Sequence, residues 1–233
     1  MINCACVIHG SGYSWEYVDK LYSMLTRNLT SPFRLHVYTE PERYVPENMI
    51  KHELIDLGVS GPKKSWWYKL QLFNRKHFCG PLLYFDLDVV ITDCIDQLVQ
   101  HSPDYLWAPR DFQRLWSPSH TGINSSVMWW NTEKFHDVWT TFKQQDFSLL
   151  QRRYPGDQDF LSDIITQDRR RFFDEHLIRS WKWECLDGGY DVYRRTSRTP
   201  GSGTKLNGAN VLVFHGKPNP HEVQDPVILR HWQ

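Results

Sequence analysis

The chain has 233 residues, enough for one α/β domain with a full hydrophobic core. Its 27 basic residues balance 27 acidic ones, so no overall field draws it to nucleic acid, and we expect no nucleic-acid partner. No apolar run approaches the roughly 20 residues of a membrane span, and the opening residues lack the basic and apolar regions of a signal peptide.

The predicted elements alternate between strands and helices. In chain order they are a strand at 4–8, a helix at 14–29, strands at 34–39 and 53–57, a helix at 67–78, strands at 82–85 and 125–130, helices at 135–142 and 160–165, a strand-like stretch at 181–183 and a strand at 211–214. This alternation predicts a parallel sheet with helices on both faces. No repeat or linker divides the chain, so we expect one domain over 1–233, with a mobile loop at 194–210.

The five cysteines have neither the even count of a disulfide framework nor the spacing of a zinc site. Reduced thiols are therefore expected, which favours a cytoplasmic protein. A trimmed luminal catalytic domain is the alternative, because its sequence would look similar.

Two aspartates follow the wholly apolar segment 82–85, whose composition is typical of a strand buried on both faces. One residue separates Asp86 from Asp88, so in an extended chain both carboxylates point to one side and both reach one cation. Such hard oxygen ligands suit Mn²⁺ or Mg²⁺. The plain alternative is a pair of hydrated aspartates at a strand end.

Two metal-assisted chemistries begin with this pattern. In phosphatases of the haloacid-dehalogenase type, the first aspartate, here Asp86, is the nucleophile. In nucleotide-sugar transferases, the pair holds the cation that binds the donor diphosphate. A phosphatase would have a later acidic motif at the end of an apolar strand, but the segment 151–155 before Asp157 is not strand-like, which disfavours this alternative.

Polar residues open two later elements. Asn124 and Ser125 stand at the start of the strand predicted at 125–130, and an asparagine both donates and accepts hydrogen bonds, as a sugar hydroxyl requires. An Asx turn is the alternative for Asn124. Asp157 and Gln158 precede the helix predicted at 160–165, where Asp157 is also well placed to be an N-cap.

A histidine ends the last predicted strand. His215 should emerge beside Asp86 and Asp88, and a neutral imidazole is a good third ligand for Mn²⁺. Gly216 allows the backbone to approach a ligand closely, and Lys217 offers a compact positive charge for a diphosphate.

Taken in order, these segments resemble glycosyltransferase family 8, the group of glycogenin and the bacterial lipopolysaccharide galactosyltransferases. The resemblance covers residues 1–220. It implies an α/β fold with one GT-A, Rossmann-like domain and a mixed, mostly parallel sheet. The implied activity is transfer of a sugar from a UDP-sugar to a hydroxyl of a glycan, protein or small-molecule acceptor, with Mn²⁺ or Mg²⁺ and retention of configuration. A non-catalytic carbohydrate-binding protein or a degenerate transferase is a further alternative.

The resemblance also implies roles for individual residues. The implied metal ligands are Asp86, Asp88 and His215, and the implied diphosphate contacts are Gly216 and Lys217. The residues implied to hold the donor and acceptor sugars are Asn124, Ser125, Asp157 and Gln158, the last two as catalytic residues. Lys69 is implied to approach the donor, and the implied nucleoside contacts are His9, Gly10 and Tyr13, with Tyr13 or Tyr17 stacking on the base.

Aromatic residues are abundant, with 11 Trp, 11 Tyr and 12 Phe. The surplus of Trp, whose N–H needs a partner, favours a flat-walled cleft beside an aromatic core. The residues expected in the core are Trp139, Phe142 and Phe160, and those expected beside the site are Trp66, Trp67, Trp116, Trp129 and Trp130.

Overall fold

The structure is a computed structural model that describes residues 1–58, 65–187 and 203–233, together with the backbone of two short strands at 190–191 and 196–197. Its strands are β1 (Ile2–Val7), β2 (Phe33–Thr39), β3 (Ile50–Glu53), β4 (Pro81–Phe85), β5 (Val89–Ile91), β6 (Leu106–Ala108), β7 (Val127–Asn131), β8 (Arg170–Phe172), β9 (Ile178–Ser180), β10 (Tyr190–Asp191), β11 (Thr196–Ser197) and β12 (Val211–Val213). Its α-helices are α1 (Glu16–Asn28), α2 (His136–Gln144), α3 (Phe147–Arg153), α4 (Asp157–Ile164) and α5 (Pro226–His231). Shorter helical turns lie at Ser65–Phe73, Asp96–Val99, Phe112–Leu115, Trp181–Cys185 and Pro220–Glu222.

A seven-stranded sheet forms the centre of the structure, in the order β3-β2-β1-β4-β7-β6-β8. Neighbouring strands are parallel except at β7, which is antiparallel to both β4 and β6. A second sheet has the order β5-β12-β9, and β10 pairs with β11. The predicted α/β fold with a mixed, mostly parallel sheet is therefore confirmed.

Both faces of the central sheet are covered, as β4 illustrates. Leu83 and Phe85 face the core that contains α1, whereas Leu82 and Tyr84 face the core that contains α2 and α4. Alternate residues of a strand point to opposite faces, so an uninterrupted apolar run is what a doubly covered strand requires.

The aromatic residues divide into buried and exposed ones. Trp139, Phe142 and Phe160 are buried as expected. The expectation that Trp67, Trp129 and Trp130 line a cleft is wrong, because all three are buried: Trp67 lies in the turn Ser65–Phe73, and the other two point to opposite faces of β7. Trp66 and Trp116 are exposed.

The strand predicted at 53–57 is displaced, since β3 ends at Glu53. At Ile55 the backbone bonds to a side chain instead of a neighbouring strand. The N–H of Ile55 donates to Gln71 Oε1 at 2.8 Å, and the carbonyl of Ile55 accepts from Gln71 Nε2 at 2.7 Å. One glutamine thus replaces a strand partner.

The helix predicted at 67–78 is a 3₁₀-helix that ends at Phe73. Asn74 follows, and its side-chain oxygen accepts from the N–H of Lys76 at 3.1 Å. Such a local side-chain bond competes with continuation of a helix. The strand-like stretch at 181–183 is also corrected, because Trp181–Cys185 forms a π-helical turn directly after β9.

Part of the predicted mobile loop 194–210 lies outside the described residues, namely 194–195 and 198–202. Its last part is anchored, since Thr204 is buried and its N–H donates to Asp225 Oδ2 at 2.7 Å. Within the described ranges, no helix is both long and apolar enough to cross a membrane.

Asp225→Ala should lower the free energy of unfolding by about 1 to 3 kcal/mol. Asp225 is the N-cap of α5, and its carboxylate accepts from the N–H groups of Val227 and Ile228 as well as from Thr204. Urea unfolding measures the loss. Asp225→Asn keeps one acceptor oxygen and should lose less; an alanine variant as stable as the wild-type chain would contradict this role.

Candidate active site

The aspartate pair lies where the central sheet passes into the smaller one. Asp86 follows β4, and its N–H donates to the carbonyl of Ser126 at 2.8 Å. Asp88 precedes β5, and its carbonyl accepts from the N–H of Phe214 at 3.1 Å. The end of β4, the start of β7 and the end of β12 therefore meet at these two residues.

A buried lysine gathers several predicted site residues. Lys69 is 4 % exposed, and its Nζ lies 2.8 Å from Asp86 Oδ1, 3.3 Å from Asp157 Oδ2 and 3.0 Å from Ser125 Oγ. Ser125 Oγ in turn donates to Asp157 Oδ2 at 2.7 Å. We call Lys69, Asp86, Ser125 and Asp157 the Lys69 cluster.

The Lys69 cluster places two carboxylates around one ammonium group. Burial by itself would lower the pKa of Lys69, but Asp157 and Asp86 outweigh this effect and raise it, so the lysine stays charged. Burial raises the pKa of Asp157, and Lys69 opposes that shift. The ion pairs thus stabilise charges that burial alone would disfavour.

The N-cap interpretation of Asp157 is wrong. Gly156 is the capping residue of α4, and its N–H donates to Asp159 Oδ2 at 3.1 Å. The carboxylate of Asp159 therefore accepts a hydrogen bond at the start of the helix. Asp157 is the first helical residue, and its carboxylate is directed at Lys69 instead.

Asp88 is a second buried carboxylate beside the Lys69 cluster. Its Oδ2 accepts from the hydroxyl of Tyr13 at 3.0 Å. Burial and then repulsion from Asp86 raise the pKa of Asp88. A buried carboxylate whose charge is disfavoured by burial and by a second carboxylate fits a divalent cation, which would neutralise the pair.

Residues predicted to meet a nucleoside lie beyond the carboxyl end of β1. The ring of His9 stacks on Tyr68 with centroids 3.8 Å apart. Gly10 has φ of 68°, and its carbonyl accepts from Arg43 at 2.8 Å. Tyr13 is partly exposed, whereas Tyr17 is buried in the core, so Tyr13 offers the more accessible ring.

The amide residues form a chain of hydrogen bonds. Asn124 Nδ2 donates to Gln158 Oε1 at 3.4 Å, and Gln158 Nε2 donates to Asp111 Oδ2 at 3.0 Å. Asn124 Oδ1 also accepts from the N–H of Ser126 at 3.1 Å, so the Asx turn exists as well. Sequence analysis missed Asp111, because no motif surrounds it.

His215 bonds to a serine and packs against two aromatic rings. Its Nε2 lies 2.6 Å from Ser180 Oγ. Its ring stacks on Phe112 with centroids 5.4 Å apart and makes a tilted contact with Trp183 at 4.0 Å. Burial and the neighbouring Lys182 lower the pKa of His215 to about 3, so the imidazole is neutral. Among the described residues, no three His, Cys, Asp or Glu side chains are grouped to hold a metal, so His215 does not join the aspartates in this structure.

A second buried lysine organises the segment after His215. Lys182 is 4 % exposed, and its Nζ donates to the carbonyl of His215 at 2.6 Å and to the carbonyl of Lys217. Gly216, between these carbonyls, has φ of 71°, a conformation that favours glycine. Lys217 itself is exposed and pairs with Glu222 at 2.7 Å. Lys182 was also missed, since nothing in the sequence around it points to the later segment.

No family model matches the chain, and no curated protein matches it in sequence. Solved structures do match. An active-site glutamine-to-glutamate mutant of LgtC is 13 % identical with a TM-score of 0.65, and the match covers 98 % of this chain and 93 % of LgtC. The galactosyltransferase LgtC in complex with donor and acceptor sugar analogues is 15 % identical with a TM-score of 0.61, over 94 % of this chain and 89 % of that one. The glycosyltransferase GlyE of Streptococcus pneumoniae TIGR4 is 13 % identical with a TM-score of 0.68, over 100 % of this chain and 62 % of GlyE.

The chain therefore has the GT-A glycosyltransferase fold. The resemblance to glycosyltransferase family 8, which the sequence motifs suggested, is borne out by these structures at the level of the fold. They do not favour the phosphatase alternative.

Proposed function

We propose that the chain is a glycosyltransferase that moves a sugar from a UDP-sugar to the hydroxyl of an acceptor. The observation that carries the proposal is the Lys69 cluster, which joins Asp86, Ser125 and Asp157 at the carboxyl end of β4. Ligands of open α/β sheets bind at the carboxyl ends of the strands. The fold, shared with a galactosyltransferase in complex with donor and acceptor sugar analogues, supports the same role.

The cation in this proposal is Mn²⁺ or Mg²⁺, held by Asp86 and Asp88. Oxygen ligands suit either ion, and the raised pKa of Asp88 fits a site that takes up positive charge. His215 is proposed as a third ligand, for which its neutral imidazole is suited; it would have to release Ser180. When bound, the cation supplies Lewis-acid neutralisation of the departing diphosphate.

The chain's own residues then have distinct roles. Lys69 fixes the carboxylate of Asp86 in place. Lys217 is proposed to exchange its contact with Glu222 for the diphosphate, because phosphate carries more charge than a carboxylate. Gln158, held by Asn124 and Asp111, is proposed to orient the donor sugar.

Retention of configuration is part of the proposal. The bond from the anomeric carbon to the β-phosphate oxygen would break as the acceptor oxygen bonds to the same face of the sugar, and the acceptor proton would pass to the departing UDP. Asp157 is proposed to act as a positioning residue that holds Lys69 and Ser125 in place, and no residue forms a covalent intermediate. We also propose one domain and a cytoplasmic location, in keeping with cysteines that are all free.

A thermal-shift panel tests donor and metal together. At about 100 times its Kd, a UDP-sugar should stabilise the protein by about 2.7 kcal/mol, which raises Tm by about 5 to 10 °C in a chain of this length. The shift should need Mn²⁺ or Mg²⁺ and should disappear with EDTA. A rise in Tm with free sugars that does not depend on the metal would favour a non-catalytic binding protein. The absence of a rise in Tm with every nucleotide sugar would overturn the proposal.

A further inference from the structure

An exposed tryptophan lies next to the candidate active site. Trp116 is 59 % exposed and packs edge-to-face against Trp183, with ring centroids 4.9 Å apart and planes at 84°. We call Trp116 and Trp183 the Trp116 platform. An indole that is supported on one side and open on the other presents a flat apolar surface to a ligand.

The Trp116 platform is continuous with residues of the site. Trp183 contacts His215, whose ring also stacks on Phe112 at the start of the helical turn Phe112–Leu115. Asp111, the N-cap of that turn, accepts from Gln158 at 3.0 Å. The segment 111–116 therefore contacts the proposed donor-orienting Gln158 at its first residue and carries the exposed indole of Trp116 at its last.

Ion pairs of the buried Arg114 hold the platform in place. Arg114, in the same helical turn, donates to Glu184 Oε1 at 2.9 Å and pairs with Glu175 at 3.1 Å. Glu184 follows Trp183 directly, and its other oxygen accepts from the N–H of Ser180 at 2.8 Å. This bridge joins the segment of Trp116 to that of Trp183, so a ligand meets a surface that is already ordered.

From this arrangement we infer that the Trp116 platform is the acceptor subsite and that it takes a neutral hexopyranoside. This inference rests on the proposed function, because it gives that same site its acceptor class. One face of a pyranose ring carries C–H groups, which are attracted to the negative face of an indole. Arg114 is neutralised by Glu184 and Glu175, and Arg110 lies 3.8 Å from Glu175, so the arginines beside the platform are paired and a neutral ring fits better than a phosphate.

Saturation-transfer NMR with methyl α- and β-hexopyranosides (glucoside, galactoside and mannoside) tests the platform without requiring turnover. In the presence of UDP and Mn²⁺, at least one glycoside should receive saturation on the protons of one ring face. Trp116→Ala should weaken its binding about tenfold, the loss of about 1.4 kcal/mol, and Trp116→Phe should restore most of it. Tyr44→Ala, which removes another exposed aromatic ring, should change nothing.

Three results would overturn the subsite: no saturation of any glycoside by the wild-type protein, equal saturation by Trp116→Ala, or equal loss in Tyr44→Ala. The thermal shift with UDP-sugar and Mn²⁺ is measured on the same variants and should not change. If the wild-type chain shows the thermal shift with UDP-sugar but no saturation of any glycoside, only the subsite is refuted. Absence of the donor shift would refute the proposed function, and the glycoside signal still decides whether the platform binds sugar.

Discussion

Asp88→Asn is expected to stop metal-dependent sugar transfer while making the free protein more stable. The proposed cation loses a charged ligand, so release of UDP in the presence of acceptor should fall by about 10²- to 10³-fold. The pKa of Asp88 is raised in the folded chain by burial and by Asp86. A carboxyl whose pKa is raised by folding reduces stability as pH rises above its ordinary pKa. An amide removes that cost and can still accept from Tyr13, so the free energy of unfolding should rise by about 1 to 2 kcal/mol.

Two measurements check this prediction: UDP release with Mn²⁺ at saturating donor, and urea unfolding in EDTA. Asp93→Asn is the matched control, because Asp93 is exposed and its carboxylate accepts from the N–H of Cys94 at 2.7 Å. It should change neither activity nor stability. Undiminished turnover in Asp88→Asn would refute the proposed cation site, and a less stable variant would refute the electrostatic account of Asp88.

Lys69→Met is expected to cause a larger loss of stability than removal of an exposed lysine. It would leave Asp86 and Asp157 near each other without their shared cation, at a position that is 4 % exposed in the wild-type chain. Removing one partner of a buried ion pair costs about 3 to 5 kcal/mol. Donor binding should fall as well, since Asp86 would no longer be held in position.

Urea unfolding again measures the effect, and the exposed pair Lys134–Asp104 supplies the control. These residues lie 2.6 Å apart with half-exposed side chains, so Lys134→Met should cost no more than about 1 kcal/mol. The double variant Lys69→Met/Asp157→Asn should be more stable than Lys69→Met alone, because one of the uncompensated charges is gone. Equal losses in Lys69→Met and Lys134→Met would show that burial does not matter at this site.

The Trp116 platform suggests that some of the many aromatic residues bind ligand and do not only fill the core. Trp67 and Trp130, which were expected beside the site, are buried in the core that contains α2 and α4. Trp116 is exposed, and Arg114, two residues before it, ties this segment to Glu184 and Glu175. If the platform binds acceptor, the exposed rings rather than the buried ones determine which acceptors are used.

Much of the fold was predictable because its signals are local. The apolar run at 82–85 specifies a doubly covered strand, and β4 occupies 81–85. The spacing in α1 likewise predicts one apolar face. The strand predicted at 53–57 failed because a side chain distant in sequence replaced a strand partner, when Gln71 bonded to the backbone of Ile55.

For the site, the sequence by itself determined which chemical groups are present and where they leave their strands: Asp86 and Asp88 after β4, and His215 after β12. Only the tertiary structure decided their partners. Lys69 meets Ser125 across 56 positions, and Lys182 meets His215 across 33, because the packing of separate elements brings these groups together. No local pattern records such contacts, so Asp157 could be taken for an N-cap until Lys69 was seen beside it.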